Sequence, residues 1–297
     1  MISAKIPCST SNLGPGFDTL GLALDRYLEL TVTESTSLTI TVEGNGKEHI
    51  AVDETNLVYN AMKVTAQRLG KPLPPVALHL KNNIPAYGGL GGSGAAIAGG
   101  VFAANALLNG GLTKDEMLMV AVGIEGHPDN VSAALFGGLT INCFDAQRTV
   151  HCRSVKIDHR LSVVACSPHF QVQTKEARKI LPKEVTLKDA VTNIENAASL
   201  VAALMSGDLE ALRYVTYERL HEQYRATLIP GYDAVRTAAL EAGALSFNIS
   251  GAGPTVFAFA TSHQQSIADA MRRAFESAGQ RATAEVMAVE NAGAILL

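Results

Sequence analysis

Between Ile84 and Gly100 the chain reads IPAYGGLGGSGAAIAGG, and five of the seven residues from Gly88 to Gly94 are glycine. From Ala95 the sequence turns apolar through Leu108. The pattern predicts a tight loop entering a buried helix, with Ser93 or Gly94 near the N-cap. A helix N-terminus leaves N–H groups unpaired at the positive end of the helix dipole, and glycines let a large anion approach the backbone. A phosphate group is the guest that suits such a loop.

Two other phosphate-binding patterns are excluded by context. Neither Gly46-Lys47 nor Gly70-Lys71 is followed by Ser or Thr with an upstream glycine at Walker A spacing. Gly89, Gly91 and Gly94 do fit G-x-G-x-x-G, but the dinucleotide fingerprint needs a strand directly before the first glycine and an acidic residue closing a second strand. Here Asn82, Asn83 and Pro85 separate the expected strand Val76–Leu80 from the loop. Asp115 and Glu116, at the right distance, fall in the capping box Thr113-Lys-Asp-Glu116 that opens a helix.

Composition narrows the partners. A chain of 297 residues can form one large or two ordinary domains, and 47% apolar with 18% charged residues is a soluble globular balance. The net charge of −4, with no basic cluster, argues against nucleic acid as a partner. No apolar run reaches the roughly 18 residues a membrane span needs, and the first residues lack a signal-peptide pattern. Cys8, Cys143, Cys152 and Cys166 have no C-x-x-C spacing, so they read as buried thiols of a reducing, cytoplasmic setting.

Strand patterns are expected at Ile2–Cys8, Leu20–Glu34, Leu38–Glu43, Leu139–Phe144, Val150–Ile157, Leu161–Cys166, Ala244–Ile249, Thr255–Thr261 and Thr283–Val289. Helical periodicity is expected at Asn56–Leu69, Thr113–Ile124, from Thr174 until Pro182 ends it, Thr186–Met205, Asp208–Leu220, Gly231–Ala242 and His263–Ala278. Gly99 and Gly100 inside the apolar helix point to close backbone packing. The alternation suggests two-layer α+β halves, and the chain changes character around Lys156–Arg160.

Two loops carry the remaining chemistry. Ser9-Thr-Ser-Asn-Leu-Gly-Pro-Gly-Phe-Asp18 displays Asn12 and Asp18 on a shaped turn, where turn chemistry alone would also place them. Glu125-Gly-His-Pro-Asp-Asn-Val131 gathers two carboxylates, an imidazole and an amide around a proline. Each could be a helix cap, but their clustering beside a phosphate loop favours a functional site.

Pro85-x-x-x-Gly89-Leu90-Gly91-x-Ser93 resembles the phosphate loop of the GHMP small-molecule kinases, with Gly92 where the family usually has a first serine. Asn12-Leu-Gly-Pro-Gly-Phe-Asp18, Glu125-Gly-His-Pro-Asp-Asn-Val131, Thr174-Lys-Glu-Ala-Arg178, His221-x-x-Tyr-Arg225 and Ser250-Gly-Ala-Gly-Pro254 are similar to segments of its homoserine-kinase branch. The resemblance implies a two-domain GHMP kinase fold: an N-terminal α/β ATP-binding domain over 1–157 and a C-terminal ferredoxin-like α+β domain over 158–297. It implies ATP and Mg²⁺, and phosphorylation of the hydroxyl of L-homoserine in threonine biosynthesis. Asn56, Pro85, Ala86, Tyr87, Gly88, Gly89, Leu90, Gly91, Gly92, Ser93, Gly94 and Ala95 would hold the nucleotide. Ser93 and Glu125 would hold the metal, since Met119 stands where some members carry a metal glutamate. Asn12, Asp18, His127, Asn130, Arg178 and Arg225 would bind the acceptor, with Asp18 toward the ammonium and the arginines toward the carboxylate. Asn130, where other members have an aspartate, would align the hydroxyl, with no strong side-chain base required. The family also implies a possible homodimer. Another small-alcohol kinase, or a catalytically impaired nucleotide-binding regulator, remains open on the same residues.

Overall fold

The structure is a computed structural model that describes residues 1–297. The first half runs β1 (Ile2–Ser11), β2 (Leu20–Glu34), β3 (Thr39–Gly44), α1 (Leu57–Leu69), β4 (Val76–Asn82), α2 (Gly92–Leu107), α3 (Lys114–Glu125), α4 (Asp129–Phe136), β5 (Leu139–Phe144) and β6 (Val150–Val155). The second runs β7 (Ser162–Pro168), α5 (Thr174–Lys179), α6 (Leu187–Ser206), α7 (Leu212–Val215), α8 (Glu222–Arg225), α9 (Tyr232–Glu241), β8 (Ser246–Ile249), β9 (Val256–Ala260), α10 (Gln264–Ser277), β10 (Ala282–Ala288) and β11 (Ile295–Leu296).

The first sheet is ordered β11-β1-β2-β4-β3, with β5 joining the other end of β2 and β6 pairing β5. Only β3 and β4 run parallel. At 15 residues β2 is long enough to serve three neighbours: Leu20–Leu22 pair with β5, while Leu28–Glu34 pair with β4. The second sheet is antiparallel, ordered β10-β7-β9-β8. With α10 between β9 and β10 and helices between β7 and β8, this is the split β-α-β arrangement of a ferredoxin-like half. The last strand returns to the first sheet, where Lys5 pairs with Ile295.

Helix α2 is buried nearly all round, as its uniformly apolar composition requires. A methyl group on Gly100 would come 2.3 Å from the Val58 carbonyl oxygen, which is why α1 and α2 can touch only through glycine there. One contiguous apolar core joins the helices of the first half to Phe257, Phe259 and Met287 of the second sheet and to Leu245 just before β8.

Four expectations are corrected. Helix α2 starts at Gly92, with Gly91 as N-cap at φ 64°, so Ser93 and Gly94 lie inside its first turn. The segment after His127 is not loop throughout: Asp129 opens α4, a short helix with Asp129–Leu135 buried. The expected helix Asp208–Leu220 breaks after Val215, because Glu218 folds back to accept the backbone N–H groups of Leu220, His221 and Glu222. Cys143 is exposed, whereas Cys8, Cys152 and Cys166 are buried, and all four are free thiols.

Candidate active site

A cleft of about 580 Å³ opens between the two sheets, lined by the β1–β2 turn, the α1 N-terminus, the glycine loop, the start of α4, α5, α8 and the β8–β9 turn. No backbone N–H from Ala86 to Gly94 donates a hydrogen bond within the chain. Most of these residues are half-buried or exposed, and the last three open α2, whose first N–H groups have no partner within the helix, so together they offer a run of donors to an acceptor in the cleft. The loop is fixed through its carbonyls instead. Ser250 and Thr255 donate hydroxyl hydrogen bonds to the Gly89 and Gly88 carbonyls, and Ser9 N–H reaches the Leu90 carbonyl at 3.3 Å. Tyr87 stacks on His169 of the second half at 4.3 Å between ring centroids.

Ser93 donates to Glu125 Oε1 at 2.7 Å, so a hydroxyl and a carboxylate from α2 and α3 meet beside the loop. Asn56 caps α1, accepting from Val58 and Tyr59 N–H and donating to the Ala51 carbonyl, while its residue also lines the cleft. Gly94 and Ala95 are buried and do not line it; Gly94 instead lets α2 pack on Asn130, where a methyl group would sit 2.8 Å from Asn130 Cβ.

At the start of α4, Asp129 Oδ1 accepts from His127 Nδ1 at 2.7 Å and from Asn130 N–H at 2.9 Å. The Asp129 hydrogen bond, opposed by burial, raises the His127 pKa above its ordinary value, and it fixes the ring with Nε2 4.0 Å from Glu125 Oε1. Asn130, 8% exposed, accepts from Ser9 Oγ at 2.9 Å and donates to Ser11 Oγ at 3.1 Å. Its carbonyl oxygen keeps a second lone pair for a hydroxyl donor.

The β1–β2 turn holds three non-glycine residues in the left-handed region, Asn12, Leu13 and Asp18. Such conformations cost energy and cluster at functional sites. Asn12 stabilises the turn: its Oδ1 accepts the Asp18 N–H at 3.0 Å and its Nδ2 donates to the Gly251 carbonyl at 2.9 Å. Asp18 meets Arg178 in a two-pronged ion pair of 2.8 and 2.9 Å. Arg225 is 2% exposed and has no carboxylate partner; it donates to the Gly251 carbonyl at 2.8 Å and lies over the Phe17 ring. Burial, and next the Arg178 charge, press its pKa below the ordinary arginine value. A buried guanidinium without an anion is costly, so Arg225 is built to receive one.

Further residues hold these groups in place. Ser9, Ser11 and Asp129 fix Asn130; Phe17 and the buried His221 brace Arg225, and His221 also hydrogen-bonds the Gly14 carbonyl at 3.0 Å. Asp129 was legible as part of the Glu125–Val131 cluster and His221 as part of the segment ending in Arg225, whereas nothing singled out Ser9, Ser11 or Phe17 within their loop.

A sheet-and-helix half that presents a glycine loop with free amides, covered by a ferredoxin-like half, defines a small-molecule kinase of the GHMP type. The models described as GHMP kinases N terminal domain and GHMP kinases C terminal match residues 56–138 and 196–277, and the chain belongs to the GHMP kinase family. Among its full-length relatives are the homoserine kinases of Moorella thermoacetica, 40% identical over 99% of each chain, and Trichormus variabilis, 40% identical over 99% of this chain and 98% of that one. The crystal structure of homoserine kinase from Cytophaga hutchinsonii superposes with a TM-score of 0.88 at 31% identity, covering 100% of this chain and 97% of that one.

Proposed function

We propose that this chain transfers the γ-phosphoryl group of ATP to the side-chain hydroxyl of L-homoserine, giving O-phospho-L-homoserine, a step toward threonine. The observation that carries the reading is the pairing of a free-amide glycine loop with a buried arginine that has no carboxylate partner in one cleft. The first suits a polyphosphate and the second a carboxylate. Kinship with homoserine kinases over the whole chain supports the acceptor.

In this reading the amides of Gly88–Gly94 hold the phosphates, and Arg225 fixes the acceptor carboxylate with Arg178 as the second guanidinium. Asp18 takes the ammonium. Asn130 Oδ1 accepts from the acceptor hydroxyl and aligns it, while Asp129 keeps Asn130 and His127 oriented. Asn12 acts by setting the Asp18 backbone. Phosphoryl transfer passes through a loose transition state, so alignment and charge stabilisation matter more than early removal of the hydroxyl proton. The Ser93–Glu125 pair fits a hard divalent cation, which needs few protein oxygens when phosphates and water complete its shell. Mg²⁺ held there would neutralise phosphate charge.

A coupled ADP-release assay with Mg-ATP tests the assignment against homoserine, mevalonate and a hexose. Turnover with homoserine alone is expected; ATP binding without turnover on any acceptor would leave a nucleotide-binding regulator instead. Arg225→Ala should raise the KM for homoserine at least a hundredfold, the scale set by about 3 kcal/mol for a lost buried charge-assisted contact. An unchanged KM would remove Arg225 from the acceptor site.

A further inference from the structure

Asp18 and Arg178, which the proposed reading assigns to opposite ends of a zwitterion, are bonded to each other. Both Arg178 Nη atoms meet both Asp18 carboxylate oxygens, at 2.9 and 2.8 Å. The two residues come from different halves, Asp18 from the β1–β2 turn and Arg178 from α5, so the pair spans the cleft mouth. The Asp18 and Arg178 side chains are 34% and 38% exposed, so the pair is in contact with water and can open. Arg225 differs in every respect: buried, held to the Gly251 carbonyl, and without a carboxylate.

We propose that the Asp18–Arg178 pair is a resting latch that the acceptor opens by ion-pair exchange, and that this exchange selects for zwitterionic amino alcohols. The proposal rests on the reading of the cleft as an acceptor site. The acceptor carboxylate lands on Arg225, which has no carboxylate partner, and then competes with Asp18 for Arg178. Asp18, once released, takes the ammonium. A zwitterion breaks one pair and restores both charges. An acceptor lacking either charge leaves Asp18 or Arg178 with water as its only partner in a cleft that the acceptor has partly desolvated, a cost that the zwitterion does not incur. Discrimination against single-charge alcohols is therefore built from a penalty as well as from attraction. A site whose groups are mutually neutralised also has its apparent affinity reduced by the fraction of time it is open.

The probes are L-homoserine, 4-hydroxybutyrate, which lacks the ammonium, and 3-amino-1-propanol, which lacks the carboxylate. In the native enzyme both analogues should show KM values at least tenfold above that of homoserine. Asp18→Asn keeps the side-chain shape, removes the ammonium ligand and frees Arg178. Its KM for homoserine should rise about tenfold or more, while its KM for 4-hydroxybutyrate should fall about fivefold below the native value. Arg178→Gln should mirror this, with 3-amino-1-propanol as the analogue that improves. Calorimetric titration with the same analogues reads the exchange if a variant turns over too slowly. If homoserine weakens in both variants while neither analogue improves, the residues bind acceptor but no latch exists, and the proposal falls alone. If neither variant changes the KM for homoserine, the acceptor-site reading falls and takes the latch with it.

Discussion

At the residue scale, two adjacent glycines separate backbone necessity from mere smallness. Gly91 has φ 64°, and a methyl group on it would lie 2.2 Å from Ser9 Oγ and 2.8 Å from Asn130 Oδ1. Gly92 is helical, and a methyl group there would meet nothing within 4 Å. Gly91→Ala must therefore strain the backbone and push Asn130 out of line. A displacement of about 1 Å in a positioning group costs on the order of a hundredfold in rate, so kcat/KM should fall by at least that factor. Gly92→Ala should leave kcat/KM within about twofold and raise Tm slightly, because alanine exceeds glycine in helix propensity by up to about 1 kcal/mol. Steady-state kinetics and thermal melts on the two variants check this, and equal damage from both would sink the distinction.

Among the elements, the one-turn helix α8 shows how a very short segment can carry a site. Four residues cannot form a stable helix alone, since nucleation is unfavourable. Glu218 compensates by receiving the N–H groups of Leu220, His221 and Glu222, and Glu222 ties the other side to β8 by accepting the Ile249 N–H at 2.7 Å. Burial, and next the Glu218 charge, push the Glu222 carboxyl up to about 8 from its ordinary 4.5. A carboxyl that holds its proton more tightly when folded contributes stability fully present below its unfolded pKa. That contribution is lost as pH rises through the folded value, so this group should lower stability between about pH 4.5 and 8. The slope is on the order of 1 kcal/mol per pH unit. Urea unfolding across that window should show the decline, and Glu222→Gln should flatten it; an unchanged slope in the variant would place the effect elsewhere. Periodicity in the sequence located the long elements well, β2 at its bounds and α1, α6 and α10 within a residue, because their apolar faces repeat over several turns. It could not find α8 or the break after Val215, where buried carboxylates from residues distant in pattern decide the backbone. Nor could it find β11, whose two residues have no period. In the site, the glycine loop and the Asp129 cluster were legible as motifs. That Asp18 and Arg178 face each other was not, because 160 residues separate them and only the docking of α5 brings them together.

For the whole molecule, the two halves are joined at the phosphate loop as well as by their shared core. The Ser250 and Thr255 hydroxyls, on the β8–β9 turn of the second sheet, hold the Gly89 and Gly88 carbonyls of the first half. A methyl group on Gly89 would sit 2.8 Å from the Ser250 carbonyl, so the two loops are in direct contact. By occupying the carbonyls from behind, the second half leaves the amides of the same peptides free for phosphate. On the proposed reading, the second half thus shapes the phosphate loop from behind. Removing both hydroxyls, as Ser250→Ala with Thr255→Val, loses the two hydrogen bonds to the loop, worth about 1 kcal/mol each, together with those the same hydroxyls share with Thr10 and Ser167. The freed carbonyls can turn, and part of the binding energy of ATP is then spent reordering the loop. The double variant should raise the KM for ATP about tenfold or more, with the KM for homoserine changed less, since the Gly251 carbonyl that holds Arg225 and Asn12 is anchored through the Gly251 N–H to the Ser11 carbonyl and not through the deleted hydroxyls. Initial-rate kinetics with each substrate varied against saturating amounts of the other separates the two. Equal losses for both substrates would mean that the turn holds the halves together generally, and an unchanged KM for ATP would mean that the loop keeps its shape unaided.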